Sequence, residues 1–598
     1  MPKPLQVAQF YNNVGGWFTD TSIVNQPTNT SPDMLDCRIG TNGSIKKREG
    51  DSQLGSANSE AASIRGLYQF SDSSNTLRQL YIAGTKIYNL NISTGGLTAL
   101  YSSLTDNDDR LYNLCLHNHR AVMTEVNENA VQWNGTDTVI TTVQDIQQAT
   151  ALTGTVTFTT SSTAVSGSGT SFTTEISVGD YISKDGTIGS PGAVTGWFEV
   201  ASITDNTNLV LRVASTSNGA GASGGSKVSA NFGKASYCIS YHGHLFLLDT
   251  YSTLDNERVY NKMWYSALNE PYNFPTNHNH RFREVGRIYG AFIMDEFLYI
   301  KTDRGIYRID FTESSTEPFV VNPIDGSVGS NNGLNVQVVN SPVLGKQAAV
   351  WMDKQGVVVF HDNITEVLTK DKLQTQVDAL NKTRYDKITS CINTKHNEVW
   401  FFVSNSGETT NNRVWCWNYA LNCVYPFTGD SACGHEMDFG SNGLIPVTGD
   451  YSGSIFKQNT GTNYTNGTMS FKFTTPVYDM GQPQVYKTFR KIELVLKTMS
   501  TYTLAVSYKV QFASDWTTTD GIVITGTADS KWGTAIWGTD YWMRATTHKD
   551  GKIGFVTHAD RRIQFKFEQS VDSKDVEVLG WSVFAKFNKG ARGAVTLN

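Results

Sequence analysis

Leu80-Tyr81-Ile82-Ala83-Gly84-Thr85-Lys86-Ile87-Tyr88 reads as strand, turn, strand, with aromatic and β-branched residues on both sides of a glycine corner. Alternation already begins at Ile64-Arg65-Gly66-Leu67-Tyr68-Gln69-Phe70, and a similar apolar strand ending in an aromatic returns six more times. The later returns end at Val131-Gln132-Trp133, Met263-Trp264, Ile306-Tyr307, Val358-Val359-Phe360, Val414-Trp415 and Ile455-Phe456. Successive aromatics lie 45, 131, 43, 53, 55 and 41 residues apart, so one step is out of line. A recurrence of about 40 to 50 residues built from short strands is the pattern of propeller blades. One small sheet cannot cover its own faces until neighbours stack on it. The expected fold is therefore mainly β, with a β-propeller of six to eight blades.

The long step has a visible cause. Residues Thr153 to Val228 are dominated by Thr, Ser and Gly, and carry short strand signals at Thr155-Val156-Thr157-Phe158, Val178-Gly179-Asp180-Tyr181-Ile182, Trp197-Phe198-Glu199-Val200 and Leu209-Val210-Leu211. Five or so strands in that length predict a small β-barrel or sandwich set into a blade loop, where long insertions cost little entropy. After the blades, a polar bridge at Asn459 to Gly467 leads to strict alternation. It runs through Phe471-Lys472-Phe473, Lys491 to Leu496, Leu504 to Tyr508, Ile563 to Phe567 and Val576 to Phe587. Strands with one wet face predict a C-terminal β-sandwich. The expected division is an N-terminal arm at 1–60, blades at 61–152, the inserted module at 153–229, further blades at 230–460 and the sandwich at 461–598. One helix is expected, over Asp371 to Asp386, where Leu373, Val377 and Leu380 recur at helical spacing.

Composition narrows the functional classes. The 598 residues set an expectation of about four folding units. Asp and Glu outnumber Lys and Arg by 55 to 49, a formal charge of −6, which argues against holding nucleic acid by phosphate neutralisation. Seven scattered cysteines make no disulfide framework and point to assembly in a reducing compartment. No apolar run approaches 18 residues, and Met1 to Phe10 lacks the basic and apolar regions of a secretory signal. The expectation is a soluble chain that stays where it is made.

Catalytic constellations are poor. Three His-x-His pairs occur, His117-Asn118-His119, His242-Gly243-His244 and His278-Asn279-His280, and the first two follow Cys115 and Cys238. A zinc set is one reading. The other, favoured because the first two pairs occupy matching places in successive repeats, is a hairpin turn. Asp353-Lys354-Gln355-Gly356 and Asp450-Tyr451-Ser452-Gly453, with the shorter Asp303-Arg304-Gly305, suggest calcium or sugar less than turns closed by an Asp and a left-handed Gly. No nucleophile elbow, phosphate-binding loop with Lys or His-Glu-x-x-His is present. Asp295 and Glu296 read as solvated strand ends. The basic groups Lys46 to Arg48, Arg561-Arg562 and Lys586 to Arg592 read as solvated faces or subunit contacts more readily than as a DNA surface. The cluster Trp532 to Trp542 reads as loop packing, with sugar or partner binding as the alternative. No catalytic, cofactor-binding or metal residues are assigned.

The arm carries a resemblance. Gly15-Gly16-Trp17 with Thr19-Asp20, Asp36 to Ile39, and Gly43-Ser44-Ile45-Lys46-Lys47-Arg48-Glu49-Gly50 resemble the opening of tail nozzle proteins (tail tubular protein B type) of short-tailed bacteriophages, the podoviruses. The inserted module and the ending near Gly580 to Gly593 are similar to phage tail proteins as well. The resemblance implies a structural, non-enzymatic virion subunit, assembled in the host cytoplasm and usually a homohexamer. It would form the distal ring of the tail and the conduit for DNA ejection. The implied partners are the tail adaptor protein above it, tail fibre or tailspike proteins, double-stranded DNA passing without sequence-specific binding, and the host cell envelope. Six copies at −6 each carry −36. A neutral to acidic wall suits sliding DNA, because its repulsion reaches over a Debye length of ~8 Å without gaining counterion-release affinity. The alternative function is a receptor-binding or glycan-degrading tail protein with a β-propeller.

Overall fold

In the computed structural model of the chain, residues 5–22, 25–56, 62–105, 110–146, 150–184, 196–220, 226–228, 232–252, 257–312, 314, 317–465, 467–497, 501–510, 513–524, 548–571 and 574–588 are described. Seven blades of four antiparallel strands stand around one axis among these residues. Blade 1 runs from Ile64 to Tyr101, blade 2 from Asn113 to Thr142, and blade 3 from Gly233 to Arg281. Blade 4 covers Ile288 to Pro323, blade 5 Gln337 to Val367, and blade 6 Thr389 to Thr428. Blade 7 has three strands of its own, Ser431–Asp438, Leu444–Asp450 and Ile455–Gln458, and takes its outer strand, Asp51–Gln53, from the arm. All seven aromatic-tipped returns are the third strand of a blade.

The ring is closed. The innermost strand of each blade contacts that of the next, and Ser431–Asp438 of blade 7 contacts Ile64–Ser71 of blade 1. Most seams have their own apolar cluster, for example Phe70, Leu80, Met123 and Trp133 between blades 1 and 2, and Phe292, Tyr299, Trp351 and Phe360 between blades 4 and 5. Coverage on both faces makes the second strands of blades 5 and 6 near-continuous apolar runs. Glu398–Val403 and most of Lys346–Asp353 are buried throughout. At the closing seam a side chain has no room: a β-carbon on Gly449 would stand 2.6–2.8 Å from Ile64.

The inserted module pairs eight short strands in the order that joins Thr150–Ala151 to Gly219–Ala220 through the whole set, more strands than the five or so expected. Trp197–Ile203 bends at Val200/Ser202 and belongs to both halves of the sheet, which curls around Val156, Phe158, Phe172, Ile182 and Leu209. The C-terminal sandwich has two six-stranded sheets over a core that includes Phe473, Ile492, Phe567 and Trp581.

The arm differs from the expectation of a separate 1–60 segment. Gln6–Phe10, Cys37–Ile39 and Ile45–Lys47 lie in one sheet of the sandwich, Asp33–Leu35 joins the other, and Asp51–Gln53 completes blade 7. Strands of two to five residues are too short to show a period, and their buried polar residues hide them further. The expected helix over Asp371 to Asp386 is also shorter: an α-turn at Gln374–Asp378 and a 3₁₀ segment at Lys382–Lys387. Asp371 takes a left-handed φ of 61°, Leu373 is not helical, and Leu380 pairs with Asn405 like a strand residue. Leu373, Val377 and Leu380 are nevertheless all buried, in the core between blades 5 and 6.

Gly449→Val tests the closing seam. Overpacking Ile64 is expected to lower stability by about 1–3 kcal/mol in chemical denaturation, since a well-packed interior has no space for added carbons.

Candidate functional site

Small cavities lie among the inner strands of the propeller. A cavity of about 230 Å³ is lined by Tyr68, Tyr112, Asn113, Gln337, Ser390 and His435, residues of five different blades or of the segments leading into them. A second, of about 100 Å³, is lined by Arg110, Glu125, Tyr237, Arg287, Tyr289 and Asp386. At ~30 Å³ per molecule these hold about eight and three waters. Leu111 and Leu334 line both and so form the partition between them. Tyr68 donates its hydroxyl hydrogen bond to the carbonyl of Tyr112, and Gln69 donates to Asp438 O at 3.1 Å, tying inner strands across seams. Burial pushes His435 down to about 4, so this ring is neutral at physiological pH.

The sequence-selected histidines sit in turns. Asn118, His119, His242 and Gly243 all have positive φ, at the corners between the first and second strands of blades 2 and 3. His117 Nδ1 lies 2.9 Å from Ser240 Oγ, His244 Nδ1 is 2.7 Å from Ser266 O, and His278 stacks on Tyr265. Burial lowers the pKa of His117 to about 4. No group of three His, Cys, Asp or Glu positioned to hold a metal occurs among the described residues. Cys115 and Cys238 are buried near one another on adjacent inner strands; Cys238 Sγ lies 3.4 Å from Asn113 Oδ1.

The repeated Asp turns are structural where their backbone is engaged. Asp353 Oδ1 accepts from Gln355 N at 2.9 Å, and Asp450 Oδ1 from Ser452 N and Ser454 N at 2.9 and 2.7 Å, with Gly356 and Gly453 left-handed. Asp303 differs, accepting from Gly286 N in the preceding connector. Asp295 and Glu296 form the left-handed corner before Phe297. Trp532 to Trp542 and residues 589–592 lie outside the described residues.

The strongest polar constellation is one the sequence reading missed. Glu398 is fully buried, and Arg38 of the arm donates to it from Nε at 2.6 Å and Nη2 at 3.1 Å. Tyr425, Trp400 and Asn393 donate to the same carboxylate at 2.7, 2.8 and 2.7 Å. Burial alone would raise the Glu398 pKa; the Arg38 charge and hydrogen bonds outweigh it and hold the carboxyl below its usual range. The basic cluster belongs to the same junction, which corrects its reading as a solvated or partner face. Lys47 is buried and donates to Gln569 Oε1 and Val571 O, while Arg48 pairs with Asp36 at 3.1 Å and lies over Phe427 and Tyr464. Asp36 also accepts from Thr428 N and Oγ1 in blade 6. A basic triplet paired with acids far away in sequence gives no local signal of burial.

Another buried cation stands at the seam of blades 4 and 5. Lys301 has no exposed surface, donates to Asn332 O at 2.8 Å, and lies 4.8 Å from the centroid of the Trp351 ring. Desolvation drives it down to about 7, against the attraction of Asp353.

No protein-family model and no curated protein matches this chain. Among solved structures it is similar to a chain of the mitotic checkpoint complex at 7% identity, covering 70% of this chain and 96% of that one, TM-score 0.32. YCF48 from Cyanidioschyzon merolae is 8% identical over 68% of this chain and 98% of its own, TM-score 0.32. The Dos1 propeller is 9% identical over 69% and 82%, TM-score 0.28. Likenesses this distant carry no argument; the strand pairing itself establishes the propeller.

Two predictions follow from the buried charges. Arg38→Met leaves Glu398 without its counter-ion and is expected to cost about 3–5 kcal/mol in urea denaturation, with Arg38→Met/Glu398→Gln recovering much of the loss. Lys301 has a depressed folded pKa, so between about 7 and its ordinary value the unfolded chain holds a proton that the folded one lacks. Its penalty is complete below pH 7 and fades as pH rises. Stability should therefore climb from pH 7 to 9 by up to about 1.4 kcal/mol per unit, a slope absent from Lys301→Met.

Proposed function

We propose that this chain is a structural, non-enzymatic subunit of a short phage tail, of the nozzle type that its arm resembles. The observation that carries the reading is the position of that arm. The segments quoted for the resemblance, Gly15 to Trp17, Asp36 to Ile39 and Gly43 to Gly50, contain the strands and charges that bind blade 6 and the sandwich to one another. A subunit repeated around a ring needs one self-consistent, rigid contact on each side, and a welded pair of β domains supplies rigid faces.

The cavities among the inner strands are small, about 230 and 100 Å³. Voids that hold a few waters do not pass a duplex, so the conduit lies between copies, about the axis of the ring, with each propeller as a solid wall element. Six copies, net acidic, would then surround the DNA, with the adaptor above and fibres or tailspikes at the periphery, and the virion as the final location.

Electron microscopy of the purified protein is the test. Rings with a central opening are expected, with density for the seven-bladed discs in the wall; a chain that remains monomeric at all concentrations and is found off the tail axis in virions sinks the assignment.

A further inference from the structure

A cavity of about 570 Å³ opens where the arm, blade 6 and the sandwich meet. Its size falls in the range of small-molecule pockets, which favour domain junctions. Trp17 and Trp415 make an edge-to-face pair on one wall, ring centroids 5.4 Å apart, and Met34 adds to that apolar side. Gln376, Arg413 and Lys472 bring polar groups to the same space.

Arg413 is the unexplained group. Its backbone is fixed in the strand Arg413–Asn418 by pairing with Val403 and Thr428. Its side chain is mostly out of solvent, and burial lowers its pKa. Among the described residues it makes no side-chain hydrogen bond, ion pair or ring contact. The carboxylates whose charge it feels are committed elsewhere: Asp36 to Arg48 and Thr428, and Asp33 to Lys472 at 2.5 Å. A guanidinium stays charged whatever its surroundings, so a desolvated one without a counter-ion is a standing cost that a bound anion would remove.

We infer that this cleft binds an organic carboxylate, its two oxygens on the Arg413 guanidinium and its apolar or aromatic body against Trp17 and Met34. One free positive charge matches a monoanion, because the Lys472 charge is already balanced. Asp33 at the same wall disfavours a dianion such as phosphate. The planar fork of arginine fits a carboxylate in two parallel hydrogen bonds. The carboxylate has two possible sources, a free small acid or an acidic side chain beside an apolar one on a polypeptide. The site stands independently of the tail assignment.

Calorimetric and ligand-observed NMR titrations of the full chain with phenylacetate, with the peptide acetyl-Phe-Glu-amide and with inorganic phosphate decide the matter. Saturable binding of at least one carboxylate below about 10 mM is expected, weakened about tenfold or more by Arg413→Met and partly kept by Arg413→Lys. Binding of phenylacetate assigns a free acid; binding of the peptide alone assigns a polypeptide source. Because the Arg413 side chain makes no hydrogen bond or ion pair among the described residues, Arg413→Met should melt at the parent temperature or above. No saturable carboxylate binding, equal binding by Arg413→Met, phosphate binding as tight as carboxylate, or marked destabilisation of Arg413→Met each overturns the inference.

Discussion

A carboxylate without access to water, Glu398, governs how the two halves of this protein are joined. An ionised acid in an apolar interior is tolerated only when its lone pairs are filled and its charge is met, and here four side chains do so. Three of them come from blade 6 itself, but the only cation among them, Arg38, comes from the arm. Blade 6 therefore carries a buried charge whose neutralisation requires the arm to be in place. Once Arg38 is seated, Cys37–Ile39 and Ile45–Lys47 are positioned to extend the sandwich sheet, and Asp51–Gln53 reaches blade 7. The pair contributes less as net stability than as a condition on geometry: other placements of the arm leave a charge stranded.

The second condition is the coverage of sheet faces. Six of the blades supply all four strands locally and meet neighbours on both sides. Blade 7 alone lacks an outer strand until the arm provides it, and the outer face of blade 6 is covered by the sandwich through Met34, Phe427 and Phe471. Propeller and sandwich thus share one hydrophobic cluster, and the arm threads through it. Lys301, Asp36 and Glu398 show the same economy: each buried ionisable group lies at a boundary between elements, where a partner from another element fixes the relative placement.

What was legible in the chain follows from how local each feature is. The third strand of every blade announced itself, from Tyr88 to Phe456, through a large aromatic beside an apolar residue, although strands such as Ile306–Phe311 are buried only in part. The insertion was legible as a change of composition at Thr153. The arm was not, since Asp33–Leu35 and Cys37–Ile39 are three residues each and their polar neighbours are satisfied by groups hundreds of positions away. The same non-locality hid the candidate sites. Nothing near Glu398 in sequence signals that it faces an arginine of the arm. Nothing near Arg413 signals that it faces no one. Charge runs such as Lys46 to Arg48 mislead for a related reason: composition reports the sign of a charge, but only the fold reports whether an acid waits opposite.

The distances along the chain also constrain how the fold is reached. Hairpins within a blade join strands a few residues apart, whereas Ser44 donates to Glu577 across 533 residues and Ser31 to Thr474 across 443. Loop-closure entropy must be met before such contacts return anything, so local blades form ahead of the contacts between the two ends of the chain. Until then Ile455–Gln458 presents an open strand edge, and blade 6 an apolar face, to any other chain in solution. The arm is tethered to blade 1, whose first strand begins at Ile64, so closure of the ring brings Asp51–Gln53 to that edge at high effective concentration. The segment that completes blade 7 is thus carried by blade 1, the neighbour that blade 7 meets when the ring closes.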